Sequence, residues 1–134
     1  MAGYSGTPLS RKLGIKPGTR VKARGAPAHY ADLLAPLPEG VVVSSRLHPP
    51  FDILLVFTKS RANLRTELER GLNEIPQDGA LWVSWPKKAS AVETDVSEDV
   101  VRELALPMGL VEKVCAVAET WSGLKLVIRK ALRQ

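Results

Sequence analysis

The sequence contains few of the residues from which catalytic and metal sites are commonly built. Of its 134 residues, one is a cysteine and two are histidines. Cys115 has no second cysteine to pair with, which excludes an intrachain disulfide and any multi-cysteine zinc or iron–sulfur site. His29 and His48 are too few for a metal site built from histidines. Ser84 and Ser90 have no histidine with a partnering acid nearby, so we predict no catalytic residue and no metal.

Long apolar runs are also absent. No stretch approaches the ~18–20 apolar residues that cross a bilayer, and Met1–Gly14 lacks the apolar centre of a signal peptide. Hydrophobic residues make up 45% of the chain and charged residues 25%, as in ordinary soluble domains. These observations predict a cytoplasmic protein without a membrane partner, and the length predicts a single domain over residues 1–134.

The first 31 residues contain six basic residues and no acidic one, although the whole chain has a net charge of only +5. Residues 92–119 show the reverse, with seven acidic and two basic residues. A basic region attracts nucleic acid, phosphorylated metabolites or acidic partners. Here the basic residues are scattered, and they are not interleaved with the aromatic side chains that stack on bases. We therefore favour a solvated basic surface and keep nucleic-acid binding as an alternative.

Strands and helices alternate along the chain. The most informative segment is Ile53–Phe57, five apolar residues without alternation, as in a strand covered on both faces. Ser60 can then cap a helix over Arg61–Asn73, in which leucines recur at every fourth position. Ala80–Trp85 is expected to form the next buried strand. This strand–helix–strand unit has the size of a right-handed parallel crossover.

The remaining elements complete an α/β three-layer sandwich. Ser97 can cap a second helix, and two apolar runs joined by Glu119–Gly123 predict an antiparallel hairpin at a sheet edge. Within the joining segment, we interpret Trp121-Ser122-Gly123 as a tight turn. The other expected elements are a helix over Pro8–Leu13 ending at a left-handed Gly14, strands over Thr19–Arg24 and Val41–Val43, a brief helix over Ala28–Leu34, and hairpin strands over Val111–Ala118 and Leu124–Ile128. The pattern predicts a mostly parallel sheet of about six strands that ends in the hairpin, preceded by a lead-in over residues 1–18.

This order of elements resembles the Rossmann-like fold of S-adenosylmethionine-dependent methyltransferases. The similar segments are F-D-I-L-L-V-F, D-G-A-L-W-V-S-W-P-K, G-L-V-E-K-V and L-K-L-V-I-R-K, with the lead-in L-G-I-K-P-G-T-R-V. Over nearly its whole length the chain also resembles small uncharacterised bacterial proteins grouped as domain of unknown function 3052. That resemblance lies in G-Y-S-G-T-P-L, W-V-S-W-P-K-K-A-S, E-D-V-V-R-E-L-A-L and W-S-G-L-K. It implies a fold and carries no established activity.

Three departures from the methyltransferase pattern argue against the cofactor. The glycine-rich turn after the first strand lets backbone approach the cofactor closely, but here it keeps only Gly25, and Pro27 removes a backbone donor. Arg24 stands near the position where an acidic residue is usual. After Val41–Val43 there is no acid to accept from the ribose hydroxyls, and a third strand with its helix is missing. We therefore expect no cofactor, with S-adenosylmethionine possible but disfavoured.

A candidate ligand site is expected at the carboxyl ends of the strands, near the point where the strand order switches. The residues predicted to meet there are Gly25, Thr58, Lys59, Ser60, Arg61, Trp85, Lys87 and Lys88. Their hydroxyls, cations, aromatic face and helix N-terminus suit an anion such as phosphate or carboxylate. A purely structural explanation competes with this one. In it, Ser60 caps the helix, Trp85 fills the core, and the lysines extend into solvent without binding a ligand.

The function that these residues favour is that of a non-catalytic protein binding a small anionic ligand or a partner. Lys59 and Lys87 follow neighbouring strands, so both are expected at the same edge of the sheet, within reach of one anion. Two alternatives stay open. One is an S-adenosylmethionine-dependent methyltransferase with a degenerate cofactor loop, and the other is a nucleic-acid-binding accessory protein.

Overall fold

The structure is a computed structural model, and it describes residues 13–25, 37–49, 51–86, 93–117 and 121–129. For residues 114–117 and 121 it describes the backbone only. The helices predicted over residues 8–13 and 28–34 lie outside the described residues, apart from Leu13, as do Lys87 and Lys88. The described elements are β1 (Arg20–Arg24), β2 (Val42–Ser44), β3 (Ile53–Phe57), α1 (Arg61–Leu72), β4 (Ala80–Pro86), α2 (Glu98–Ala105), a 3₁₀ turn (Leu106–Met108), β5 (Leu110–Val117) and β6 (Trp121–Ile128).

The described strands form one sheet in the order β2-β1-β3-β4-β6-β5. β1 is parallel to both β2 and β3, and β3 is parallel to β4. β6 runs antiparallel to β4 on one side and to β5 on the other. A mostly parallel sheet of six strands ending in an antiparallel hairpin, with helices packed on it, confirms the predicted α/β Rossmann-like fold.

The two central strands are buried along their whole length. All five residues of β3 and all seven of β4 are buried, because side chains of a strand alternate between faces and both faces are covered here. On one face, leucines of α1 and α2 pack over β3, β4 and β6. On the other face, Leu13 and Ile15 of the lead-in pack against β1, β3 and β4, and Trp82 is fully buried there.

The helix α1 follows directly from its sequence. The Ser60 hydroxyl accepts a hydrogen bond from the backbone N–H of Asn63 at 3.2 Å, which confirms the predicted cap. Leu64 and Leu68, one turn apart, are fully buried against the sheet. At Gly71 a Cβ would stand 2.7 Å from side-chain atoms of Leu54 and Leu81, so this glycine lets the helix approach the sheet closely.

The hairpin was predicted in the right place, but its turn was assigned incorrectly. Trp121, Ser122 and Gly123 are not a tight turn, because they form the first residues of β6 and pair with β4 and β5. Gly123 lies opposite Ser84 of β4, where its extended backbone continues the ladder. Local turn propensity of Ser-Gly was overridden here by pairing on both sides, which the sequence alone does not reveal.

The β2 end of the sheet is short. β2 has three residues and forms the edge of the described sheet, and no strand is described between it and β3. No described helix covers the face of β1 and β2 beside α1, and Val42 on that face is 42% exposed. This agrees with the expectation that a third strand and its helix are missing.

Candidate ligand site at the carboxyl ends of the strands

The carboxyl ends of β1, β3 and β4 are brought together. Gly25 follows β1 with a φ of +73°, and a Cβ there would stand 2.6 Å from the carbonyl oxygen of Phe57. The backbone N–H of Thr58 donates to the carbonyl of Ser84 at 3.0 Å, which joins the ends of β3 and β4. The structure therefore places Gly25 and Thr58 at one edge of the sheet.

The two hydroxyls of the candidate site are engaged in local hydrogen bonds. Thr58 Oγ1 accepts from the backbone N–H of Ser60 at 3.3 Å and from Asn63 Nδ2 at 3.0 Å. It donates in turn to the carbonyl of Ser60 at 3.2 Å. Ser60 Oγ is occupied by its capping bond. Both hydroxyls thus shape the β3–α1 turn; the structural explanation predicted this for Ser60 and not for Thr58.

The N-terminus of α1 already holds a carboxylate. Asp95 Oδ1 accepts from the backbone N–H of Arg61 at 2.7 Å. Its segment is fixed across the end of β3, because Asp95 N–H and Thr94 Oγ1 both donate to the carbonyl of Lys59, at 3.1 and 2.7 Å. A helix N-terminus attracts negative charge, and here a side chain of the protein supplies it. Asp95 was missed because it lies 34 residues from Arg61 and no local pattern connects them.

The remaining predicted residues have different surroundings. Arg61 Nη2 pairs with Glu103 of α2 at 2.9 Å. Trp85 is 8% exposed and belongs to the core beneath α1 and α2. Lys59 is exposed, and its ammonium has no ion-pair or hydrogen-bond partner within the described part of the chain. Among the candidate cations that are described, Lys59 is the one available to a ligand.

A buried ion network lies beside the same edge. Arg24, the last residue of β1, pairs through Nε with Glu67 at 3.1 Å and through Nη1 with Glu74 at 2.7 Å. The three side chains are between 11% and 14% exposed, and Arg70 approaches Glu74 at 3.7 Å. Arg24 Nη2 is buried without a hydrogen-bond partner among the described residues. Sequence reasoning noted Arg24 and missed its partners, which lie 43 and 50 residues further on.

A second charge cluster lies on the exposed side of α2. Arg102 contacts Glu98, and it pairs with Asp99 at 3.2 Å and Glu112 at 2.7 Å. The hydrogen bond to Glu112 raises the pKa of Arg102, and the charges of Glu112, Glu98 and Asp99 add to it, while desolvation acts in the opposite direction. Because the pKa of Arg102 is raised in the folded protein, the stabilising effect of its positive charge is present at neutral pH, and deprotonation of Arg102 removes it only in strong alkali.

The described residues contain neither a metal-binding cluster nor a helix that could span a membrane. No group of three or more histidine, cysteine or acidic side chains is arranged to hold a metal ion within those residues. None of the helices in the described ranges combines the length and apolarity required to cross a membrane.

Solved structures similar to this chain are methyltransferases and related folds. Fibrillarin from Aeropyrum pernix, with natively bound S-adenosyl-L-methionine, matches with a TM-score of 0.61 at 12% identity, over 94% of this chain and 71% of that chain. A methyltransferase from Pyrococcus furiosus gives 0.59 at 14% identity, over 90% and 81%. The B. subtilis tRNA methyltransferase TrmK gives 0.59 at 12%, over 96% and 68%.

These similarities show the fold of the chain. At such low identity they carry no activity, and the chain spans 47% to 64% of several other matched structures, which is less than two thirds of those proteins. No protein-family model matches the chain, and no curated protein does. The class that fold and site together define is an α/β domain with a methyltransferase-like sheet.

Proposed function

We propose that this chain is a small-ligand-binding protein that takes an oxyanion, a phosphate or a carboxylate, at the carboxyl ends of β3 and β4. Lys59 is the observation that supports the proposal. It is exposed and unpaired within the described residues, whereas Arg24 and Arg61 near it are both held by carboxylates. An unpaired ammonium at the edge where such sheets bind their ligands suits an anion.

Two further cations follow the neighbouring strand. β3 and β4 are parallel with Phe57 opposite Ser84, so the residues after both strands leave the same edge of the sheet. Lys87 and Lys88 come directly after β4 in the sequence. Adjacent strands are ~4.8 Å apart, which is short relative to a lysine side chain. We propose that Lys59 and Lys87 contact the same anion.

A comparison of melting temperatures tests this proposal. Inorganic phosphate should raise the Tm of the native protein, and the double variant Lys59→Ala, Lys87→Ala should lose that increase. A ligand at 100 times its Kd adds ~2.7 kcal/mol to the free energy of unfolding. Sulfate, also an oxyanion, should act like phosphate at this site. Its general salt effect stabilises both proteins alike, so the difference between the native protein and the double variant measures binding at the site. Equal stabilisation of both proteins by phosphate would contradict the proposal.

S-adenosylmethionine binding is a second candidate, and Gly25 is the observation that favours it. Its left-handed backbone and the 2.6 Å limit at Phe57 leave room for glycine only, at the position where methyltransferase-like sheets need backbone close to a ligand. Arg24 argues against S-adenosylmethionine binding, because it places a cation near the position where methyltransferases usually have an acidic residue. We expect S-adenosylhomocysteine at sub-millimolar concentration to leave the Tm unchanged. A clear increase would replace the first proposal by this one.

A further inference from the structure

A groove lies beside the proposed anion site, between α1 and the segment that leads into α2. Its volume is about 400 Å³, and it is lined by Arg61, Ala62, Arg65, Asp95 and Leu104. This volume lies within the range of small-molecule sites, which are commonly apolar with a few polar groups. Asp95 N–H donates to the carbonyl of Lys59, so the backbone of Lys59 lies next to the Asp95 end of the groove.

One of the two arginines in the groove can serve a ligand. Arg61 and Arg65 are four residues apart on α1, so their side chains lie on the same side of the helix. Arg61 is held by Glu103 at 2.9 Å, whereas Arg65 lies 4.0 Å from Glu69, which is 62% exposed. Exposed ion pairs contribute little to stability, so an oxyanion that binds the Arg65 guanidinium through two hydrogen bonds can displace Glu69.

Asp95 sets a further requirement on the ligand. One of its oxygens accepts from the N–H of Arg61, and the negative charge disfavours a bare anion next to it. A ligand with a hydrogen-bond donor near its oxyanion can bond to Asp95 instead of being repelled by it. Ala62 and Leu104 add apolar surface for the carbon atoms of such a ligand.

We infer that this groove holds the organic part of the ligand, a small hydroxylated or amino compound bearing a phosphate or carboxylate, with Arg65 as a specificity-determining residue. The inference rests on the proposed function, since it extends the same site from Lys59 along α1. It also gives Asp95, which occupies the N-terminus of α1, a role in binding: the oxyanion of the ligand lies toward Arg65, and its donor lies toward Asp95.

Calorimetric titration of the full chain tests the inference. Glycerol 3-phosphate and glycerate are the probes, since both carry hydroxyl donors and they separate phosphate from carboxylate recognition. Arg65→Gln should weaken binding of the preferred probe by about tenfold, the loss typical of one charged hydrogen-bond pair. Arg70→Gln is the matched control, with the same charge change on the same helix away from the groove, and it should change the Kd by less than about twofold.

A second variant tests the groove without changing charge. Ala62→Leu, at an exposed helix position, should fill the groove and weaken both organic probes while binding of inorganic phosphate is retained. If Arg65→Gln and Ala62→Leu bind the probes like the native protein while Lys59→Ala loses inorganic phosphate, the groove inference is wrong and the proposed function stands. If the native protein binds neither probe and no phosphate, both are wrong.

Discussion

The sheet face that carries α1 and α2 is stabilised in two different ways along its width. Over β3 and β4, Leu54 and Val56 pack in an apolar core beneath α1. On β1, Lys22 and Arg24 are the register partners of these two residues and lie on the same face, where α1 reaches Arg24 only through the ion pair with Glu67. Apolar contacts therefore cover one flank, and charged side chains that need specific partners cover the other.

On the charged flank, no described helix packs apolar side chains on the sheet. Lys22 Nζ donates to the carbonyl of Leu47 at 2.8 Å and lies 5.8 Å from the centre of the Phe51 ring. Long cationic side chains can lay their stems on the sheet while their charges find acceptors. The comparison teaches that, within the described residues, long cations take over where the apolar contacts end, and each of them depends on a partner distant in sequence.

The largest loss of stability is expected for a substitution in the apolar flank. Leu64→Ala should lower the free energy of unfolding by roughly 4 kcal/mol, because Leu64 is fully buried and its truncation leaves a cavity. Leu106→Ala, at a leucine 45% exposed, is the control and should cost about 0.5 kcal/mol or less. Urea denaturation of both variants measures the difference. Similar losses would show that the core beneath α1 is loosely packed.

A substitution in the ion network of Arg24, Glu67 and Glu74 is expected to lower the free energy of unfolding nearly as much. Arg24→Met should cost about 3 kcal/mol, because Glu67 would remain largely buried without Arg24 and Glu74 would keep only the longer pair with Arg70, at 3.7 Å. The triple variant Arg24→Met, Glu67→Leu, Glu74→Leu should recover most of this loss, since an apolar replacement removes all three desolvation costs. Chemical denaturation provides both values. A triple variant less stable than Arg24→Met would mean that the charges, rather than the packing, stabilise this flank.

Two glycines with similar positive φ angles, Gly25 and Gly18, test how closely the end of β1 approaches β3. Gly25→Ala should cost roughly 2 kcal/mol, since the new Cβ meets a backbone oxygen and the φ is positive. Gly18→Ala has a φ of +78° with no atom within 4 Å of the new Cβ, so only the conformational cost of about 1 kcal/mol applies. Thermal unfolding compares them. Equal losses would remove the argument for a close approach of β1 to β3.

The smallest effect is expected at Lys22. Lys22→Met keeps most of the apolar stem and loses the hydrogen bond to Leu47, which should cost about 1 kcal/mol. Lys113→Met, at an exposed position of β5, should be close to neutral. The two melting temperatures give the comparison. An unchanged Tm for Lys22→Met would show that its stem alone covers this part of the sheet.

Much of the fold could be predicted because its signals are local. The unbroken apolar runs at β3 and β4, and the caps Ser60 and Ser97, depend on neighbouring residues, and the structure contains each of them. The turn assigned to Trp121–Gly123 failed because strand pairing there is decided by β4, which lies far away in sequence. Local patterns identify elements, but they do not identify partners.

In the candidate site, too, the sequence predicted the elements but not all of their distant partners. Strand topology predicted that Gly25 and Thr58 meet at one edge. It could not predict that Asp95 would bond to the N–H of Arg61, because the two residues are 34 positions apart and no local pattern links them. Such contacts depend on distances in three dimensions, and a single sequence without aligned relatives contains no signal for them.

The buried indole of Trp82 joins parts of the chain that are far apart in sequence. Its Nε1 donates to the carbonyl of Leu13 at 3.1 Å, between residues 69 positions apart. Closing so long a loop is slow compared with forming the more local β3–α1–β4 unit, so we expect the lead-in to dock late in folding. In a variant with Trp85→Phe and Trp121→Phe, the fluorescence of Trp82, which is fully buried in the folded protein, should therefore change in a late kinetic phase.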